Sequence, residues 1–215
     1  MAPLTLVVGT KNYSSWSLRP YLALAHTGQP FQEVVIQLGE PDTTQKILQH
    51  SPSARVPLLK HGELSIWDSL AICEYLAETF PEARLWPEDK AARAVARSVT
   101  AEMHSSFAAL RQHMSMNIHA RKPGQGRAAG VAEDIARITA LWNDCRARFG
   151  QGGPFLFGHF TIADAFYAPV VTRFVTYGVE LDAVCSAYRD AVLALPAFQK
   201  WAEAAKHEKK VAKYE

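Results

Sequence analysis

Cysteine is scarce in this chain. The three present, Cys73, Cys145 and Cys185, are far apart and odd in number, which leaves neither a disulfide framework nor a Cys-x-x-Cys metal or redox pair. Thiol chemistry, if the protein performs any, must therefore come from a ligand. The eight histidines include no His-Glu-x-x-His and no paired spacing with cysteines, so no metal site is expected. An excess of one charge is lacking too. A net charge of +2 with scattered Lys and Arg gives no electrostatic footprint for nucleic acid, and the one basic cluster, Lys206 to Lys213, is broken by Glu208 and reads as a solvated tail. No apolar run approaches the roughly 20 residues that cross a bilayer. The N-terminus lacks the basic-then-apolar plan of a signal peptide, so a soluble, cytoplasmic setting with no membrane partner is expected.

What the chain does contain is alternation of strand and helix, followed by helix alone. The buried apolar run Leu4-Thr5-Leu6-Val7-Val8 reads as a first strand that delivers a polar turn, Asn12-Tyr13-Ser14-Ser15-Trp16-Ser17, to a helical pattern. Pro20 is tolerated only near that helix's start, which places the start at about Ser15 to Ser17, and Gly28 ends it. Phe31 to Leu38 reads as a second strand, parallel to the first because a helix joins them. A short helix at Gln45 to Gln49 follows, then a hairpin of Pro57-Lys60 and Glu63-Ile66 turning at His61-Gly62, then a helix from Ser69 that stops at Phe80-Pro81. The order β-α-β-α-β-β-α fits an α/β thioredoxin-like domain over residues 1–80, with its ligand at the end of the first strand.

Composition shifts at a linker over residues 81–87, and residues 88–215 read as an all-α helical bundle. One helix is expected from Glu88 to Ala120, a second from about Ala129 to Phe149 and a third opened by Thr161-Ile162-Ala163-Asp164, a capping-box variant. Leu181 to Leu193 and Pro196 to His207 complete the set. Met103, His104, Phe107, Arg111 and Met114 share helical spacing and read as mixed core and interface.

Three stretches can carry chemistry. At the first turn the hydroxyls either cap the helix or serve an anion or thiolate at its positively polarised start. In Arg55-Val56-Pro57-Leu58 a proline at the head of a strand cannot donate to the ladder. An ordinary strand entry is one reading; the other is a cis bond that turns Val56 towards a peptide-like ligand, to be paired as an extra strand. In Trp67-Asp68-Ser69 an N-cap is one reading. The other is recognition of an amino acid group, Ser69 and the helix N–H groups taking the carboxylate and Asp68 the ammonium.

Taken together, Ser-Ser-Trp-Ser-Leu-Arg, Arg-Val-Pro-Leu-Leu, Trp-Asp-Ser-Leu-Ala-Ile-Cys, Phe-Pro-Glu-Ala-Arg-Leu-Trp-Pro and Thr-Ile-Ala-Asp-Ala, in this order, resemble the cytosolic glutathione S-transferases over about residues 4–207. The first turn is similar to that of the zeta class, which includes maleylacetoacetate isomerase. The resemblance implies glutathione as co-substrate, a small hydrophobic electrophile bound by the all-α domain, and a homodimer. It places the thiol-activating serine at Ser14 or Ser15, Ser14 matching the first serine of the zeta turn. Val56 and Pro57 would hold the cysteinyl part of glutathione, and Asp68 and Ser69 the γ-glutamyl part. Two departures weigh against the isomerase: Trp16 stands where the zeta turn has cysteine, and Arg173 lies about one turn before the expected basic position, which Thr176 occupies. Tyr13 is an alternative thiol donor, though its place just after the strand favours packing.

A serine suffices energetically. Lowering a thiol from about 8.5 to near 6.5 takes about 2.7 kcal/mol of preferential thiolate stabilisation. A hydrogen bond to a charged acceptor supplies roughly 1.5 to 3 kcal/mol and a helix start roughly 0.3 to 2. The expected activity is glutathione transfer to small, partly apolar electrophiles. The alternatives are a glutathione-dependent isomerase, for which Arg19, Arg111 and Arg173 are the available cations, and a non-catalytic binding or stress-response module.

Overall fold

In the computed structural model, which describes residues 2–215, the first part of the chain is a four-stranded sheet with helices. Its strands are β1 (Leu4–Gly9), β2 (Phe31–Ile36), β3 (Leu58–His61) and β4 (Leu64–Ile66), in spatial order β2-β1-β3-β4. β1 runs parallel to β2, with Leu4 opposite Phe31 and Gly9 opposite Ile36, while β3 and β4 are antiparallel neighbours. The parallel pair requires a crossover, and α1 (Ser15–His26) provides it. Residues alternate across the sheet. Leu6, Val8 and Leu59 join Leu18, Leu22, Ile72 and Leu76 in the main core under α1 and α3 (Ser69–Thr79). Val7, Leu58 and Ile36 instead face Ile47 of α2 (Thr43–Leu48), on the other side. The end of β1 therefore opens at the start of α1, as the strand-turn-helix reading requires.

The second part is helical: α4 (Lys90–Ser105), α5 (Ala108–His113), α6 (Val131–Phe149), α7 (Ile162–Tyr177), α8 (Ala183–Leu193) and α9 (Pro196–Ala205). α7 is apolar on all sides because it is the central post, packed against α1 of the sheet domain and against α4. Its start is the expected capping box. The buried Asp164 carboxylate accepts from Thr161 N–H at 2.8 Å, from the Thr161 hydroxyl at 3.0 Å and from Leu156 N–H at 3.1 Å. Among the described residues no helix is long and apolar enough to cross a membrane.

Two expectations are corrected. The single helix from Glu88 to Ala120 is instead α4, a break at Ser106-Phe107, α5, and irregular chain from Met114 onward. Phe107 takes a left-handed backbone conformation (φ 60°), which sends its ring into the core, only 5% exposed. Ser105 donates back to Ala101 C=O, and Arg111 Nη1 donates to the freed carbonyl of His104. The periodicity of Met103, Phe107 and Met114 survives the break because each still reaches the core. The Lys206–Lys213 segment is likewise not a free tail. Glu208 accepts from the N–H groups of Lys11 (2.8 Å) and Asn12 (3.1 Å), and Val211 is buried. Its Cγ1 lies 2.8 Å from where a Cβ on Gly39 would stand, so Gly39, at φ +80°, leaves room for it. The charge pattern shows the lysines and Glu208 but not that Glu208 accepts from the first turn or that Val211 between them is buried.

Removing Asp164 leaves three buried donors without an acceptor, so Asp164→Ala is expected to lower the unfolding free energy by about 2–4 kcal/mol. Urea denaturation checks this. A loss within the error of the wild-type midpoint would show that the box does not hold α7.

Candidate active site

The first turn is fixed on every side but one. Thr10 C=O accepts from the N–H groups of Tyr13 and Ser14, and the Thr10 hydroxyl accepts from Leu38 N–H at 2.8 Å. Asn12 Nδ2 donates to Asn117 Oδ1, and the N–H groups of Ile118 and His119 donate to the backbone and side-chain oxygens of Asn12. Trp201 Nε1 donates to Lys11 C=O at 2.9 Å, tying in α9. Tyr13 is buried, stacked on Tyr214 at 5.5 Å, and its hydroxyl donates to Glu215 Oε1 at 2.6 Å. This is the packing role expected of Tyr13.

The serines then divide. Ser14 caps no N–H; its hydroxyl donates to Ser17 Oγ at 2.8 Å, and Ser17 Oγ also accepts from Gly9 N–H at 3.1 Å. Ser17 thereby locks the helix start to the end of β1. Ser15, the first residue of α1, makes no side-chain hydrogen bond among the described residues. Both Ser14 and Ser15 face a cavity of about 330 Å³ bounded also by Val56, Arg111, Arg173 and Tyr214.

A larger cavity of about 570 Å³ adjoins it and brings together the other expected positions: Val56 and Pro57, joined by a cis bond, with Asp68 and Ser69 at the start of α3. Asp68 is the N-cap of α3, Oδ1 accepting from Leu70 N–H at 2.9 Å, while Oδ2 lies 3.3 Å from His104 Nε2. Capping and ligand recognition do not compete here, since over half of the Asp68 side chain stays exposed. Ser69 Oγ is buried without a hydrogen-bond partner. Leu70 and Ala71 N–H are already capped by Asp68; a lone buried hydroxyl at the positively polarised start of a helix still suits a ligand carboxylate.

Trp16 is the partition, bordering both cavities. Its ring lies 4.2 Å from the Arg19 guanidinium and 5.3 Å from that of Arg111, with the His104 ring edge-on at 5.4 Å. Arg19 is not a wall of either cavity. It is wholly buried between Trp16 and Phe166, and none of its guanidinium nitrogens has a partner. Burial, with Arg173 and Arg111 nearby, pulls its pKa down to about 9. Arg173 is also buried and its pKa is lowered to about 10, first by burial and then by Arg111, yet it keeps bonds to Met114 C=O and Pro169 C=O. His104 is lowered by burial, with Asp68 acting against that shift. The site is thus a sheet-end pocket with free hydroxyls, two helix starts and a surplus of cations.

Comparison with known proteins agrees with this geometry. The family model described as "Glutathione S-transferase, N-terminal domain" matches residues 13–79, and "Glutathione S-transferase, C-terminal domain" matches residues 125–204. Maleylacetoacetate isomerase of Rattus norvegicus is 32% identical over 193 residues, which are 86% of this chain and 87% of that protein. The chain belongs to the glutathione S-transferase family. Glutathione S-transferase 1 of Dianthus caryophyllus is 30% identical over 173 residues, 78% of this chain and 77% of that one. Among solved structures, a Burkholderia glutathione transferase homolog with bound glutathione superposes with a TM-score of 0.72, covering 96% of this chain and 100% of its own at 23% identity, a likeness in fold. Within this transferase fold, three residues at the site went unassigned in the sequence. Trp16 stands out in the sequence only as a departure from the zeta turn, Tyr214 lies just past the Lys206–Lys213 cluster, and His104 reads as mixed core and interface. His104 carries a signal: with Arg111 it is one of two polar residues in a stripe otherwise made of Met103, Phe107 and Met114.

An unpaired buried guanidinium costs stability while it is charged. Because its folded-state pKa lies below the unfolded one, the penalty is full below about pH 9 and eases as pH rises through that value. Arg19→Met is therefore expected to raise the pH 7 melting temperature by roughly 2–8 °C, corresponding to about 1–2 kcal/mol. The gain should shrink when melts are repeated near pH 9.5. A lower melting temperature in the variant would mean that the Trp16 and Phe166 contacts outweigh desolvation.

Proposed function

We propose that this protein is a glutathione transferase in which the larger cavity holds the tripeptide and the smaller one receives a small, partly apolar electrophile. The observation that carries this reading is the convergence of Ser14 and Ser15, Val56-Pro57 and Asp68-Ser69 on two adjoining cavities. Asp68 takes the γ-glutamyl ammonium, and Ser69 with the start of α3 takes its carboxylate. The N–H and C=O of Val56 pair with the cysteinyl backbone as an added strand. Glutathione supplies the thiol; the protein supplies the charge environment that favours its ionised form.

The resemblance to the zeta turn implies Ser14 as the thiol-activating residue, but its proton is engaged by Ser17. Ser15 has a free hydroxyl at the same cavity and at the first position of α1. The proposed division of labour gives the sulfur bond to Ser15 and leaves Ser14 to keep Ser17 and the turn in place. Arg19, Arg111 and Arg173 add positive potential around this point, offset in part by Asp68. The enzyme is proposed to act in the cytoplasm as a homodimer.

A second reading is favoured by two observations. Relatives from Rattus norvegicus, Mus musculus and Caenorhabditis elegans are maleylacetoacetate isomerases by name, and Arg111 and Arg173 both border the electrophile cavity. A carboxylate-bearing substrate would find its counter-charges there. Transfer and isomerisation share the same first step, attack by the ionised thiol, and differ in whether the sulfur is released again.

Calorimetry should show that glutathione binds and that Asp68→Ala and Ser69→Ala each weaken binding by about 10-fold or more, the loss of a charge-assisted bond of roughly 1.5–3 kcal/mol. No heat with the wild-type protein would remove both enzymatic readings and leave the binding-module alternative. With binding established, turnover of 1-chloro-2,4-dinitrobenzene against maleylacetone separates transferase from isomerase. Ser15→Ala is expected to reduce kcat more than Ser14→Ala; the reverse order would return the sulfur contact to Ser14.

A further inference from the structure

The segment beyond α9 is built into the site, and nothing in the proposed chemistry uses it. It is anchored at three places. Glu208 accepts from Lys11 and Asn12 N–H, Val211 is buried against Gly39, and the Tyr214 carbonyl accepts from Asn117 Nδ2 at 3.2 Å and Lys122 Nζ at 3.4 Å. The Glu215 carboxylate adds bonds from the Tyr13 hydroxyl, Asn117 Nδ2 and Lys210 Nζ. These anchors lie on the first turn, on the loop after β2 and on the chain that follows α5, so they fix the segment against both halves of the molecule. What they hold in place is a ring: Tyr214 is half-buried, stacked on Tyr13, and forms part of the wall of the 330 Å³ cavity that also contains Ser14 and Ser15. No side-chain hydrogen bond is made by its own hydroxyl among the described residues. Tyr13 stacks on the ring and Lys213 Nζ lies 5.7 Å from its centroid, so what Tyr214 offers the cavity is its remaining aromatic surface.

We infer that Tyr214 is a specificity-determining residue, the aromatic wall against which a planar, conjugated or aromatic electrophile lies while the sulfur attacks, with residues 206–215 as the strap that positions it. This rests on the transferase reading of the cavity. The polar counterpart stands among the same walls in Arg111 and Arg173, so the preferred electrophile is flat on one side and bears an electron-withdrawing or anionic group on the other. The commitment of Tyr13 to the strap, through its ring and its hydroxyl, also accounts for a tyrosine in the catalytic turn that does not serve the thiol.

The test compares the affinities of glutathione, S-methylglutathione and S-(2,4-dinitrophenyl)glutathione by calorimetry in the wild type, Tyr214→Ala, Tyr214→Leu and Tyr214→Phe, with a thermal melt of each. Aromatic stacking of roughly 0.5–1.5 kcal/mol corresponds to about 2- to 13-fold. Tyr214→Ala and Tyr214→Leu are expected to weaken the dinitrophenyl conjugate by about 3- to 10-fold relative to glutathione and to leave the ratio of S-methylglutathione to glutathione as it is. Tyr214→Phe, which keeps the ring, should keep the discrimination. Equal loss for all three ligands would make Tyr214 a structural prop, and no loss for any would place the electrophile elsewhere; either overturns the inference. In this experiment the glutathione-site reading itself falls if the wild type binds none of the three, an outcome distinct from either of those.

Discussion

The site depends on the immobility of one turn. Between Thr10 and Ser17 the chain leaves β1 and enters α1, and nearly every polar group on it is committed: to Leu38, to Asn117 and the residues after it, to Trp201, to Glu208 and Glu215. What is left open is the hydroxyl of Ser15 at the positive end of a helix. A sulfur needs only about two pKa units of help to ionise near neutral pH, and a single donor carried on an immobile stretch of backbone can give that. Holding it costs the fold little, because each clamp is also a packing contact between the sheet and the helices.

Electrostatics extends the same plan. Three guanidiniums gather near the turn, Arg19 buried beneath it and Arg111 and Arg173 at the cavity, with Trp16 between two of them. Buried positive charge without a counter-ion is unfavourable in the free protein. It becomes favourable when a negative sulfur or a carboxylate arrives, so the fold keeps in reserve a charge that the ligand would neutralise. Placing Trp16 where the zeta turn has cysteine gives Arg19 and Arg111 a π-face to rest on while the cavity is empty of anions.

Much of this was legible in the sequence, for definite physical reasons. Periodicity marked β1, α1, α3 and α7 because each has a single apolar face or none that is polar. Gly28, Pro57 and Thr161 marked ends because their backbones and side chains dictate them. Ser14, Ser15, Val56, Asp68 and Ser69 stood out as candidates because hydroxyls, X-Pro and acids at strand-helix junctions have recognisable chemistry, and the fold brings them to two adjoining cavities. The break at Phe107 was hidden, since an αL residue that still buries its ring preserves the helical spacing on both sides. The strap was hidden for the opposite reason: its lysines face water while Glu208, Val211 and Tyr214 make long-range contacts that no local pattern encodes. The choice between Ser14 and Ser15 also lay beyond sequence, because it turns on where one proton points.

The account stands on the claim that the protein, by its hydroxyl, helix start and arginines, ionises a bound thiol without metal or cysteine of its own. The ultraviolet thiolate absorbance of glutathione bound to the wild-type enzyme, followed as a function of pH, measures this directly. The account predicts a midpoint about two units below the roughly 8.5 of a free thiol. A midpoint at or above the free value would contradict it.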